Sequence, residues 1–249
     1  MKIGFIGTGN IAAAMVKGLT GQGHELWVSQ RNAKLSQALS ATYGDVSRHS
    51  NADIAAGCEI IFLCLMAPVA RAVLPDINFP PGVRLISVMV DVDLKMLQDF
   101  APGAASIDIT IPLPQIAQGG CPLPCYPSDE TVSSVFGAQN PSFRVKDMRA
   151  LNAHFAASAL MSVTLDQIAT GAAWLTAFTH DEEAAQFYIA RMLASALASL
   201  GPEMGVPDML EELSSEGGLN ATLKAHMHAA KTPEILRKGL DGFKQRLNL

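Results

Sequence analysis

The chain has 249 residues, enough for one large domain or two modest ones, each able to bury a core. Hydrophobic residues make up 49% and charged residues 16%, with a formal net charge of −5 and a mean hydropathy of +0.23. That balance excludes a disordered or low-complexity chain, and it lacks the basic stripe that binds phosphate backbones, so a small-molecule ligand is expected and nucleic acid is not.

Lys2 to Ile6 is a short apolar run that ends in Gly-Thr-Gly-Asn, after which the apolar positions from Ile11 to Leu19 take helical spacing. The pattern is strand, tight turn, helix. Gly21 and Gly23 stop the helix, Glu25 to Ser29 form a second strand, and Lys34 to Tyr43 the next helix. Apolar runs at Cys58 to Met66 and Arg84 to Val90 follow at intervals that suit a parallel sheet with crossovers, and Ala104 to Ile111 offers one more strand. The N-terminus superficially imitates a signal peptide, but the same residues make the strand and turn. Four scattered cysteines read as reduced thiols of a cytoplasmic protein. Cys121 and Cys125 enclose Pro122 and Pro124, with no His or Cys pair nearby to complete a zinc site; a proline-rich loop is expected there and no metal.

From Met148 the composition changes, and the boundary is placed at residue 147: an α/β domain over 1–147 and an all-helical domain over 148–249. Leu151 to Phe178 is an almost continuous alanine-rich helical pattern, apolar on all sides. Its Asn152, His154, Asp166 and Gln167 would be costly in lipid, so a helix buried on every face of a bundle, shared between two copies of the chain, is expected in place of a membrane span. Thr179-His-Asp-Glu182 has the spacing of a capping box before a helix to about Leu200, and Thr232-Pro233 offers a capping hydroxyl and a first-turn proline to a final helix.

Gly7-Thr8-Gly9-Asn10-Ile11-Ala12 is a G-x-G-x-x-A pattern directly after the first strand. Gly7 permits the sharp turn, Gly9 lets the backbone approach a pyrophosphate, and Ala12 lets the helix pack closely on the sheet, while the helix N-terminus offers free N–H groups to phosphates. The fold class expected is a Rossmann-type dinucleotide-binding α/β domain followed by an all-α domain for dimerisation and substrate. At the end of the second strand a carboxylate would bond a ribose 2′-hydroxyl and repel a 2′-phosphate. This chain has Ser29-Gln30-Arg31-Asn32 there, which favours NADP(H) through Ser29 and Arg31, with NAD(H) as the alternative. Met66, Ala67 and Pro68, closing the Cys58 run, are assigned to the cofactor as well.

With Met1-Lys-Ile-Gly-Phe-Ile-Gly-Thr-Gly-Asn-Ile-Ala12, Val28-Ser-Gln-Arg-Asn32 and Ser214-Ser-Glu-Gly-Gly-Leu-Asn220, the chain resembles the pyrroline-5-carboxylate reductase family over nearly its full length. The resemblance implies reduction of a cyclic imine with NAD(P)H, in proline biosynthesis or on a related imine, and a homodimer built from interleaved C-terminal helices. It also implies cofactor contacts from Asn10, Ser29 and Arg31. The chain departs from the family in its substrate half. Ile111-Pro-Leu-Pro114 stands for Met-Pro-Asn-Thr-Pro, Ala156-Ala-Ser-Ala-Leu160 for Ser-Gly-Ser-Gly-Pro, and Glu216-Gly-Gly-Leu-Asn220 for Pro-Gly-Gly-Thr-Thr. Asn220 thus takes the place of the threonine near the imine nitrogen.

Imine reduction needs little beyond placing C4 of the nicotinamide against the electrophilic carbon, in keeping with a stretch between Lys146 and Lys224 that holds no lysine. A β-hydroxyacid dehydrogenase would need a lysine on the long helix. His154 and Asp166 are conceivable acids there, with a satisfied buried histidine and a helix-packing aspartate as the plainer readings. The substrate is expected against Ser214 to Thr222, where Ser215, Gly217, Gly218, Asn220 and Thr222 can present N–H groups, hydroxyls and an amide; Ile111 to Gln115 and Ser158 are the fallback. Three other readings remain open: an NADP(H)-binding regulatory protein without turnover, a β-hydroxyacid dehydrogenase-like oxidoreductase, and reduction of deazaflavin cofactors, as in a related Rossmann family.

Overall fold

Strand and helix alternate through the first hundred residues: β1 (Lys2–Ile6), α1 (Asn10–Leu19), β2 (Glu25–Ser29), α2 (Ala33–Thr42), β3 (Val46–His49), α3 (Asn51–Gly57), β4 (Ile60–Leu63), α4 (Ala67–Val73), β5 (Arg84–Ser87) and α5 (Leu94–Phe100). The computed structural model, which describes residues 1–249, continues with β6 (Ser106–Thr110), β7 (Leu123–Tyr126), α6 (Glu130–Phe136), β8 (Ser142–Arg144) and α7 (Met148–Ser158). All eight strands form one sheet in the order β3-β2-β1-β4-β5-β6-β7-β8. It is parallel from β3 through β6, and β7 runs antiparallel to β6. The strand order reverses between β1 and β4, which marks the switch point of a doubly wound fold.

The central strands are apolar on both faces because helices cover both. Ile3, Phe5, Ile60 and Phe62 point to one layer, where the Phe5 and Phe62 rings stack at 5.0 Å, and Ile6, Ile61 and Leu63 point to the other. Each such side chain, removed fully from water, contributes roughly 1.5–3 kcal/mol.

Several expectations are corrected. The Cys121–Cys125 segment is no loop: Leu123 to Tyr126 is the buried strand β7. Its ladder to β6 pairs only Tyr126 and Cys125, so Pro124, which has no N–H to give, lies beyond that ladder. The Cys125 thiol donates to the Thr110 hydroxyl (3.4 Å), and the Cys121 sulfur accepts from the Leu113 N–H (3.4 Å).

The chain divides into two compact units, Met1–Phe155 with Arg246–Leu249, and Ala156–Gln245. The change from strand to helix falls between Arg144 and Met148, while by packing α7 goes largely with the sheet. The second unit holds α8 (Leu160–Thr179), α9 (Glu182–Ala198), α10 (Val206–Glu212), α11 (Leu219–Ala229) and α12 (Thr232–Asp241), and α13 (Lys244–Leu247) carries the chain back to the first unit.

The single helix expected over 151–178 is two, broken at Ala159, and within one chain Ala172 is the one buried residue of α8. His154 is exposed, its Nδ1 2.8 Å from the Ala150 carbonyl, and Asp166 is exposed as well. His180 ends α8 in the left-handed conformation, so Asp181, not Thr179, caps α9, accepting from the Ala184 N–H at 2.9 Å. Lys231 caps α12 in place of Thr232, whose hydroxyl donates to the Met227 carbonyl at 2.9 Å. No helix is long and apolar enough to cross a membrane.

Candidate dinucleotide site

The turn after β1 is built on two glycines with different tasks. Gly7 has φ +99, and a Cβ there would lie 2.4 Å from the Cys64 carbonyl oxygen, so only glycine lets the turn close against the end of β4. Gly9 has an ordinary φ of −95, and no atom lies within 4 Å of where its Cβ would stand. Its value is open space over the backbone, the room a pyrophosphate needs for close approach. Gly9 caps α1 without any side-chain bond and no acidic residue lies in the first turn, so the leading N–H groups of that helix are left to a ligand. Ala12 is fully buried where α1 meets the sheet.

Two of the expected cofactor residues turn inward. Ser29 is 2% exposed; its hydroxyl accepts from the Gly7 N–H (2.9 Å) and lies 3.1 Å from the Thr8 hydroxyl, which donates to the Ser29 carbonyl (2.8 Å). The Ser29 and Thr8 side chains therefore fasten the glycine turn to the end of β2. Asn32 caps α2 through the Leu35 N–H (3.3 Å). Arg31 stays exposed, with no carboxylate paired to it.

At the switch point a cleft of about 540 Å³ opens over the ends of β1, β4 and β5. Gly9 to Ala12 and Met66 to Pro68, all expected at the cofactor, line it together, along with Val88 to Asp91. Cys64 faces the same cleft, and burial pushes its thiol far up, so it stays neutral beside an anionic ligand. The residues present fit a dinucleotide: donors and space at the centre, a guanidinium without a carboxylate at the β2 end, and an apolar wall at the β4 and β5 ends.

Arg246 and Asp91 at the cleft were not expected. The Arg246 Nη2 and Nε donate to Asp91 Oδ2 at 2.8 and 3.2 Å, across 155 residues of sequence, and Asp91 holds φ +64. No local pattern announces such a pair.

In the second unit, Gly218 caps α11 and its N–H donates to the Ser215 carbonyl (3.0 Å); Gly217 has φ +70. The Thr222 hydroxyl is occupied by the Gly218 carbonyl (3.0 Å), and the Ser214 hydroxyl accepts from Lys224 Nζ (3.1 Å). Asn220, one residue into α11, is exposed and without a partner.

Comparison with known proteins agrees with this geometry. Residues 2–91 match the family described as NADP oxidoreductase, coenzyme F420-dependent. A pyrroline-5-carboxylate reductase from Coxiella burnetii superimposes with a TM-score of 0.80 at 20% identity, covering 99% of this chain and 97% of that one. The Plasmodium falciparum pyrroline carboxylate reductase, solved with NADP bound, gives 0.82 at 14% identity over 99% and 97%. A reductive aminase from Aspergillus terreus, solved with NADPH and ethyl-5-oxohexanoate, gives 0.60 at 15% identity over 99% and 92%. No curated protein matches in sequence. The chain has the fold of the pyrroline-5-carboxylate reductases, with an NADP-dependent oxidoreductase signature in its first ninety or so residues.

Proposed function

We propose that the chain is an NADPH-dependent reductase of C=N bonds, acting on a cyclic imine. The observation that carries this is the cleft at the β1/β4 switch point, where the open backbone at Gly9, the free N–H groups of α1 and Met66 to Pro68 meet in one place. Arg31 is the residue for the 2′-phosphate, which favours NADPH over NADH. When bound, the nicotinamide would supply a hydride from C4 to the carbon of the C=N bond, whose π pair would become a lone pair on nitrogen. The chain's own task is to orient and to exclude water, and a protonated iminium needs no strong acid. Gly218 and Asn220 are proposed to contact the substrate, since the Asn220 amide can donate to a nitrogen or a carboxylate. A homodimeric cytoplasmic protein completes the reading. The match to F420-dependent oxidoreductases covers only the dinucleotide-binding residues and so supports the cofactor without favouring a deazaflavin substrate.

The test is NADPH consumption across a panel of cyclic imines, from five- and six-membered rings with and without a carboxylate. Turnover with one of them is expected, and Gly218→Val and Asn220→Ala should each lower kcat/KM at least tenfold, about 1.4 kcal/mol. Tight NADPH binding with no turnover across the panel would make the chain a cofactor-binding regulatory protein instead.

A further inference from the structure

We propose that a hollow beside the β5 end of the cleft is a compartment for a ligand that carries a carboxylate on a bulky apolar body, with Arg71 and Arg246 reading the carboxylate. The inference rests on the reading above only for the place of the nicotinamide, at the ends of β4 and β5. From there the next crevice along the sheet lies at the ends of β5 and β6, where ligands of open α/β sheets are found.

The hollow has a volume of about 420 Å³ and lies wholly within the first unit. That is at the lower end of the range for small-molecule sites and far more than a five-membered ring fills. Its floor is apolar: Met89, Val92, Met96, Ile109, Met148 and Phe155. Methionines dominate that floor, and their unbranched side chains adapt to varied apolar shapes. Met89, Asp91 and Arg246 line both this hollow and the cofactor cleft, so the two spaces share a wall.

The rim carries the polarity. Asp91 stands in a left-handed conformation that a residue with a Cβ rarely adopts, held on its carboxylate by Arg246 and on its carbonyl by Arg71 Nη2 at 3.2 Å. A guanidinium has five N–H donors; Arg246 uses two of them on Asp91 and Arg71 one, so both retain donors for an anion. Asp93 turns its Oδ1 to the Met96 N–H at 2.8 Å, capping α5, so of the two carboxylates beside the two guanidiniums only Asp91 is paired with one. Asn152 donates to the Leu247 carbonyl at 2.8 Å and so ties the segment that carries Arg246 to α7. The rim is therefore assembled around guanidinium groups in fixed places, and their planar fork suits a carboxylate.

Calorimetric binding of three probes to the full-length protein, with and without NADP+, tests the proposal: 4-phenylbutyrate, its amide, and 4-phenylbutylamine. The carboxylate should bind at least tenfold tighter than the amide or the amine. Arg71→Met and Arg246→Met should each remove most of that preference, Arg71→Lys and Arg246→Lys should restore part of it, and Met96→Trp should fill the hollow and weaken all three probes. Equal binding of carboxylate and amide, a preference for the amine, or an undiminished preference in both methionine variants would overturn it. Failure of the chain to bind NADP+ would instead count against the functional reading, because the probe series without cofactor still decides the hollow.

Discussion

The two units use their apolar residues in opposite ways. In the first, the large side chains of the strands, among them Ile3, Phe5, Phe62 and Leu85, are wholly buried between helical layers. In the second, the buried hydrophobic residues are alanines, Ala156, Ala172 and Ala185, while Trp174 (67% exposed), Phe178 (68%), Phe187 (65%) and Tyr188 (59%) face outward. A unit that fully packs only alanines has not completed its core within one chain. An exposed apolar surface of this kind marks an interface. The first unit thus buries its large apolar side chains within the chain, and the second leaves them outward.

The largest expected effect falls on that contrast. The full-length chain should sediment as a homodimer at micromolar concentration, and Trp174→Glu combined with Phe187→Glu should convert it to monomer, because charges would replace two outward-facing aromatic side chains. The wild-type chain running as a monomer would break the comparison and leave the outward face of α8 and α9 to some other partner.

Within the finished unit, the glycine turn gives the next largest effect. Gly7→Ala puts a Cβ against the Cys64 carbonyl at a φ of +99, a combination of clash and strain on the order of a few kcal/mol. Affinity for NADPH and for NADH should fall together, by more than about a hundredfold. Arg31→Ala should act on one cofactor only, weakening NADPH by roughly tenfold or more and sparing NADH. Titration of both variants with both cofactors separates the turn from the phosphate site, and an equal loss for the two cofactors in Arg31→Ala would remove the NADP assignment.

The first unit was legible in sequence where its strands β1, β4 and β5 are apolar runs and its turn follows a fixed glycine spacing, whereas β3, Val-Ser-Arg-His, carries no such run and was not expected; Gly9 to Ala12 and Met66 to Pro68 do line one cleft. The part Ser29 plays in the turn was not legible. A serine at the end of β2 suits a phosphate and a turn equally by composition, and only the structure shows its hydroxyl held by the Gly7 N–H. Strands β7 and β8 were hidden by Pro124 and by the brevity of Ser-Phe-Arg. The Asp91–Arg246 pair has no sequence signal, since contact across 155 residues arises from the fold alone. In the second unit, helical periodicity located α8 and α9, but it could not tell a helix buried within its own chain from one whose apolar face is left outward.

The smallest expected effect probes how completely the first unit is finished. Asp108 on β6 is 1% exposed; its Oδ1 accepts from the Ser128 N–H at 3.1 Å while Oδ2 has no hydrogen-bond partner. Burial raises its carboxyl above the usual 3.8, against a weaker opposing pull from Thr131 and the Ser128 N–H. A carboxyl raised by folding binds its proton more tightly in the folded chain than in the unfolded one. The stability it contributes is therefore complete below the unfolded value, and it is lost as pH rises through the folded value. Above the folded value the charged carboxylate is a net burden on the sheet. Asp108→Asn keeps an acceptor for Ser128 and removes the charge, so the variant should be more stable than the wild type at a pH above the folded value, by about 1 kcal/mol. The gain should vanish below the unfolded value, where the wild-type carboxyl is already protonated. Urea denaturation at a series of pH values reads this directly. If the variant is less stable across the whole series, the uncompensated Asn amide costs more than the carboxylate charge, and Asp108 belongs to the finished core after all.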